Sequence, residues 1–263
     1  MPAKSKLGQN FLRDESAMER IALALGAVSA RTVVEIGPGL GAITERIAAR
    51  AGRLLVVEVD HQLALRLRVH FGDRIEVVEQ DVLKFDFAIA AAEAGHKLAI
   101  AGNLPYYITS PILLRLAEFA SALDVAVLMV QREVADRVTA EPGSRDYGVL
   151  SVTTQMYGPT ERLFTLPPEA FSPPPEVHST VFRWRFAPRF VELGVEEEPF
   201  IKLVKAAFAQ KRKTLGNNLR AAGVAPDAVT AALAAAGIDA QARAESLPIE
   251  GFAALSRALG PLD

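Results

Sequence analysis

Residues 32–41, TVVEIGPGLG, constrain this chain more than any other stretch. Thr32–Ile36 is a β-branched run that reads as a buried strand. It enters the glycine turn Gly37-Pro38-Gly39-Leu40-Gly41, after which Ile43–Ala51 reads as a helix. A strand that turns through glycines into a helix opens a βα unit, and such units build parallel sheets. The pattern then repeats. Leu54–Val59, Ile75–Glu79, Lys97–Gly102 and Val125–Val130 read as strands, and His61–Phe71, Phe87–Glu93, Pro111–Phe119 and Arg132–Val138 as helices. The strands are apolar almost throughout, as expected when helices cover both faces of a sheet. The fold class is therefore α/β, a parallel sheet with right-handed crossovers.

The flanks add detail. Lys4–Arg13 reads as an extended arm, and Asp14 as the cap of a helix over Glu15–Leu25 that Gly26 stops. Glu161–Leu166 and Val177–Phe186 read as an antiparallel pair at the sheet edge. Tyr147–Gln155 carries no decisive pattern. Phe171-Ser172-Pro173-Pro174-Pro175 reads as a stiff loop that cannot join a ladder. Near Pro188 the pattern turns helical, with Phe200–Gln210, Leu215–Ala222, Pro226–Ala236 and Ile249–Leu259. Two domains are expected: residues 1–187, carrying the sheet, and a small all-helical domain over residues 188–263.

The chain has no cysteine, which excludes disulfides, thiolate metal sites and a cysteine nucleophile. His61, His70, His96 and His178 are scattered without ligand spacing, so no metal is expected. The start of the chain lacks the apolar run of a secretory signal, and no apolar run elsewhere reaches membrane-spanning length. A cytoplasmic protein without a membrane partner is expected. The formal net charge is −2, yet Lys202, Lys205, Lys211, Arg212, Lys213 and Arg220 form a run with no acid among them. Lys4, Lys6 and Arg13 add basic charge at the amino terminus. Segregated basic segments on a mildly acidic chain hint at a polyanionic partner.

The glycine turn suits close approach of a ligand to backbone. Gly37, Gly39 and Ala42 satisfy a dinucleotide fingerprint, and Glu58 lies about twenty residues on, where a ribose-binding acid belongs. The motif therefore permits NAD. Two features argue for S-adenosyl-L-methionine. Glu35 and Glu58 make the pocket acidic, which suits a cationic sulfonium better than a pyrophosphate. Asp81, after the third strand of the sheet, can accept from an adenine amine or else cap a helix.

The second chemical device is Asn103-Leu104-Pro105-Tyr106, at the end of the Lys97–Gly102 strand. An exocyclic nucleobase amine is a poor nucleophile, because its lone pair is delocalised into the ring. The Asn103 side-chain oxygen and the Leu104 carbonyl can accept its hydrogens and favour the pyramidal form. Pro105 fixes φ and removes a competing donor. Tyr106 offers a ring for the base, with stacking worth roughly 1–3 kcal/mol. Read from the residues alone, Phe171 anchors the proline loop in the core.

These stretches carry a resemblance. Leu7-Gly8-Gln9-Asn10-Phe11-Leu12, Glu35-Ile36-Gly37-Pro38-Gly39, Glu58-Val59-Asp60, Asn103-Leu104-Pro105-Tyr106, Phe171-Ser172-Pro173-Pro174-Pro175 and Gln210-Lys211-Arg212-Lys213-Thr214-Leu215 span nearly the whole chain. The sequence resembles the KsgA/RsmA/Dim-type small-subunit ribosomal RNA adenine dimethyltransferases. The resemblance implies a class I methyltransferase (Rossmann-like) sheet with helices on both faces and a helical carboxy-terminal domain that docks rRNA. It implies transfer of methyl groups from S-adenosyl-L-methionine to two adjacent adenosines near the 3′ end of small-subunit rRNA, within an immature 30S subunit. It also implies cofactor contacts from Asn10, Leu12, Gly37, Gly39, Glu58, Asp81 and Asn103. Catalysis would rest on Asn103, Leu104, Pro105 and Tyr106, with Phe171 as the second ring of an aromatic sandwich around a flipped adenine. Lys211, Arg212 and Lys213 would hold RNA. Two positions depart from the family pattern: Gly216 follows Leu215, and Val149 stands where arginine is common. A monomer suffices for all of this. The rival readings are a large-subunit rRNA adenine methyltransferase, a ribosome-assembly factor whose binding matters more than its catalysis, and an NAD-dependent enzyme.

Overall fold

The computed structural model describes residues 10–261. Lys4, Lys6 and the Leu7-Gly8-Gln9 part of the arm lie outside these residues. The described chain begins with a short strand, β1 (Phe11–Leu12), and helix α1 (Glu15–Ala24). Asp14 caps α1 by accepting from the Ala17 amide at 2.9 Å. There follow β2 (Thr32–Ile36), α2 (Thr44–Ala48), β3 (Arg53–Glu58), α3 (His61–Phe71), β4 (Glu76–Glu79), α4 (Phe87–Ala94), β5 (Leu98–Asn103), α5 (Thr109–Glu118), β6 (Leu123–Gln131) and α6 (Arg132–Val138). Helix α7 (Val149–Met156) occupies the stretch whose sequence carried no decisive pattern. Then come β7 (Thr160–Leu166), β8 (Phe171–Ser172) and β9 (Ser179–Arg185), and four helices: α8 (Glu197–Ala207), α9 (Leu215–Ala221), α10 (Pro226–Ala235) and α11 (Ile249–Leu259).

Seven strands form one sheet in the order β4-β3-β2-β5-β6-β9-β7. The first five are parallel, while β9 pairs antiparallel with both β6 and β7. The expected edge pair is therefore present, with β7 outermost. Both faces are covered. Val33, Leu54, Val56, Ala99, Ala101, Val125 and Val127 share one buried cluster with Ile21 of α1, Ile47 of α2 and Leu67 of α3. The alternate residues Val34, Leu55, Ile100, Ala126 and Leu128 point the other way and are buried as completely.

One expectation about the loops fails. Phe171 and Ser172 do join a ladder, as β8 pairs antiparallel with β1 in the register Leu12↔Phe171 and Phe11↔Ser172. The Arg13 amide extends it by donating to the Ala170 carbonyl at 2.8 Å. The three prolines come after this pairing, so their missing amides cost it nothing.

The chain divides into two compact units, one of residues 1–135 and 160–187, the other of residues 136–159 and 188–263. The change at residue 188 expected from sequence marks the last of the crossings between them. The helical unit also takes in 136–159, because α7 packs on α8. Among the described residues, no helix is long and apolar enough to cross a membrane.

Candidate active site

The strand order reverses between β2 and β5, since β2 leads to β3 on one side and β5 lies on the other. In open α/β sheets the crevice at such a switch point, outside the carboxyl ends of the strands, is where ligands bind. A cavity lies there. It is lined by Asn10, Phe11 and Leu12 of the arm, Glu35–Gly39 at the end of β2, Glu58 of β3, Gln80 and Asp81 after β4, and Asn103–Ile108 after β5.

The glycine turn and the asparagine tetrapeptide thus belong to one site. A Cβ built on Gly37 would lie 3.9 Å from the Asn103 carbonyl oxygen. Gly39 has φ +58°, and a Cβ there would press on the Phe11 ring at 3.1 Å. The turn needs glycine both for its left-handed backbone and for the ring packed over it. Its hydrogen bonds tie it across the sheet, with the Gly37 amide donating to the Val57 carbonyl at 3.0 Å.

Glu58 is 3% exposed, and both its oxygens are engaged. Oε1 accepts from the Asp60 amide at 2.9 Å and Oε2 from the Gly39 amide at 3.3 Å. Burial raises its pKa, and these amides pull against that rise. Asp81 lines the cavity and also caps a short 3₁₀ turn, accepting from the Leu83 amide at 2.9 Å. The two readings of Asp81 are therefore compatible.

Asn103 is oriented by the arm: its Nδ2 donates to the Asn10 carbonyl at 3.2 Å, which leaves Oδ1 as the free acceptor end of the amide. The Leu104 amide donates to the Met129 carbonyl at 2.9 Å, which fixes the peptide that follows β5. Pro105 has φ −60° and ψ 130°, and turns the chain into a 3₁₀ turn at Tyr106–Ile108. The Tyr106 hydroxyl lies 2.7 Å from Ser179 Oγ on β9, which pins the ring by its far end. Burial raises the pKa of this tyrosine.

Two of the expected residue sets lie elsewhere. Phe171 does not line the cavity: its ring is 4% exposed and belongs to the buried cluster with Leu12. Lys211, Arg212 and Lys213 lie in the exposed connection between α8 and α9, where Lys211 Nζ donates to the Arg145 carbonyl at 3.0 Å. Sequence reasoning missed three contributors: Phe11 packed on the glycine turn, Ser179 holding Tyr106, and Tyr107, which lines the cavity mouth and is 61% exposed. Phe11 and Tyr107 stand beside motif residues, which was the available signal. Ser179 lies 73 positions from Tyr106, and nothing local links them.

Comparison with known proteins agrees with the geometry. The family described as "Ribosomal RNA adenine dimethylase" matches residues 2–259. A relative from Acidobacterium capsulatum, named "Ribosomal RNA small subunit methyltransferase A", is 57% identical over 97% of this chain and 91% of its own length. A relative of the same name from Koribacter versatilis is 49% identical over 96% of this chain and 93% of its own length. Among solved structures, the 23S rRNA methyltransferase ErmE superposes with a TM-score of 0.74 at 28% identity, covering 95% of this chain and 99% of that one. A dimethyladenosine transferase from Plasmodium falciparum has a TM-score of 0.78 at 20% identity, covering 95% of this chain and 98% of its own, and shares the fold.

Proposed function

The chain belongs to the ribosomal RNA adenine dimethylase family, and on that premise we propose how its own residues carry the chemistry. It is a methyltransferase that dimethylates adenine in small-subunit rRNA, with S-adenosyl-L-methionine as the methyl donor. The target is two adjacent adenosines near the 3′ end of that RNA, met in an immature 30S subunit, each taking two methyl groups on N6. The enzyme acts in the cytoplasm as a monomer. The greater identity to the small-subunit enzymes than to the 23S enzyme favours this substrate over large-subunit rRNA.

The cavity suits the donor. Among the described residues no lysine, arginine or histidine lines it to oppose a cation, and Glu35 Oε2 is buried there without a hydrogen-bond partner. When bound, the donor supplies a methyl group activated by a sulfonium centre. Gly37, Gly39, Glu58, Asp81, Asn10 and Leu12 would hold it. In the first transfer Asn103 Oδ1 and the Leu104 carbonyl accept the two N6 hydrogens and free the lone pair for attack; in the second, one of them accepts the single hydrogen that remains. Tyr106 stacks on the base, which must leave its helix at a cost of a few kcal/mol. Phe171 is the second ring, reaching the base only by leaving its place against Leu12. The proton shed by the methylated amine passes to solvent, so no strong base is required. Lys211, Arg212 and Lys213, in the helical unit, hold the RNA backbone.

One observation carries this reading: Asn103, fixed by the Asn10 carbonyl, presents its acceptor at the carboxyl end of β5 beside the glycine turn. Asn103→Ala is expected to lower methylation of immature 30S subunits at least about 100-fold, the scale seen when one preorganised polar group is removed. Binding of the subunit stays within about twofold, because phosphate contacts dominate affinity. Wild-type methylation by this variant overturns the role of Asn103.

A further inference from the structure

Glu35 sits in the middle of the sheet, in register with Val56 of β3 and Ala101 of β5, and is 1% exposed. Its Oε2 has no hydrogen-bond partner, nor has the hydroxyl of Thr44 on α2. An uncompensated carboxylate in such a place is costly, and the usual relief is a counterion or a proton. Among the described residues no counterion lines the cavity, whose other acids are Glu58 and Asp81. Glu58 is satisfied by two amides and Asp81 by one. Among the described residues, Glu35 is the cavity acid with a buried oxygen left without a hydrogen-bond donor.

We propose that Glu35 is a proton-coupled charge selector: it carries a proton while the cavity lacks a cation, and releases that proton to solvent when the cationic methyl donor binds. The inference rests on the methyl-transfer reading above. It gives the site a means of distinguishing donor from spent product, because methyl transfer converts the sulfonium into a neutral thioether. With the positive charge gone, Glu35 takes a proton back and the product loses an electrostatic hold that the donor had.

The surroundings agree from each side. From β3 the charged neighbour is Glu58, whose negative charge favours the protonated form of Glu35. From β5 come Ala101 and the uncharged Asn103. From α2 comes the Thr44 hydroxyl, while the helix's charged residues are held away: Glu45 by Arg74 at 2.8 Å, and Arg46 on the Ala42 carbonyl at 3.1 Å. Burial, the largest effect, raises the Glu35 pKa to about 7; the neighbouring Thr44 hydroxyl, short of a hydrogen bond in geometry, opposes the rise in part, and Glu58 reinforces it. The group therefore changes charge near neutral pH.

The test is calorimetric titration of the full chain at pH 7 in buffers of different ionisation enthalpy, with S-adenosyl-L-methionine and with S-adenosyl-L-homocysteine. A group titrating near neutrality is expected to release about half a proton per bound donor, and distinctly less with the neutral-sulfur product. As pH falls below 7, the donor Kd rises by up to about tenfold per pH unit, while that of the product changes little. Glu35→Gln abolishes the release and flattens the pH dependence. Should that variant fail to fold, the wild-type contrast between donor and product decides. Donor binding with no proton release, or a release unchanged in Glu35→Gln, overturns the proposal and leaves the methyltransferase reading standing. Failure of the donor to bind overturns that reading instead.

Discussion

At the scale of residues, the site is set by what each buried group lacks. Glu35 also makes a prediction about the protein without ligand. Its pKa is raised to about 7 in the folded state, above the unfolded value of 4.5. Between these values the folded state holds the extra proton, so stability falls as pH rises through that window and levels off above 7. Replacing Glu35 with the neutral isostere glutamine is expected to raise thermal stability at pH 8, by a few kcal/mol at most, and to change it little at pH 4.5. Thermal melts of both proteins at the two pH values check this, and an equal effect at both would refute it. Gly41 is a different constraint. It has φ +86°, and a Cβ would lie 2.7 Å from the Phe71 ring. Gly41→Ala is expected to cost about 1–3 kcal/mol in denaturant unfolding, since strain and overpacking both act there.

At the scale of elements, the pairing of β1 with β8 decides how the arm reaches the site. It brings Asn10 to Asn103 and buries the Phe171 ring against Leu12. Phe171→Leu keeps apolar volume in that cluster, so it should cost less than the roughly 3–5 kcal/mol of an alanine truncation. If the ring closes on the base, the leucine variant folds and binds RNA but loses most of its methylation. Methylation near the wild-type level would confine Phe171 to its packing role. A Cβ on Gly216, one of the two departures from the family pattern, would meet the Arg220, Leu233 and Val229 side chains at 3.4–3.5 Å, ordinary van der Waals contact, so packing does not require glycine there. Nothing in the structure explains Val149.

At the scale of the whole molecule, charge is segregated. The chain carries a net charge of −2, yet the exposed connection between α8 and α9 presents Lys211, Arg212 and Lys213. The cavity at the switch point, by contrast, is lined by Glu35, Glu58 and Asp81 and, among the described residues, by no base. An enzyme with a cationic donor and a polyanionic substrate needs both kinds of surface. Changing Lys211, Arg212 and Lys213 to Glu is expected to weaken rRNA binding and to lessen the slope of log K against log salt by about 2–3, close to one per lost phosphate contact. An unchanged slope would remove this segment from the RNA interface.

The sequence by itself determined the βα alternation, the parallel sheet and the locations of the glycine turn and the tetrapeptide. Those depend on local periodicity and on residues with restricted or permissive backbones, and Thr32–Ile36, His61–Phe71 and Arg132–Val138 have the expected bounds. Only the tertiary structure decided that Phe171 joins a ladder, that Ser179 holds Tyr106, that residues 136–159 belong with the helical unit, and that Glu35 has no counterion among the described residues. These are relations between residues far apart in the chain. They depend on which groups the fold brings within a few ångströms of one another, and on which it leaves without a partner once water is excluded.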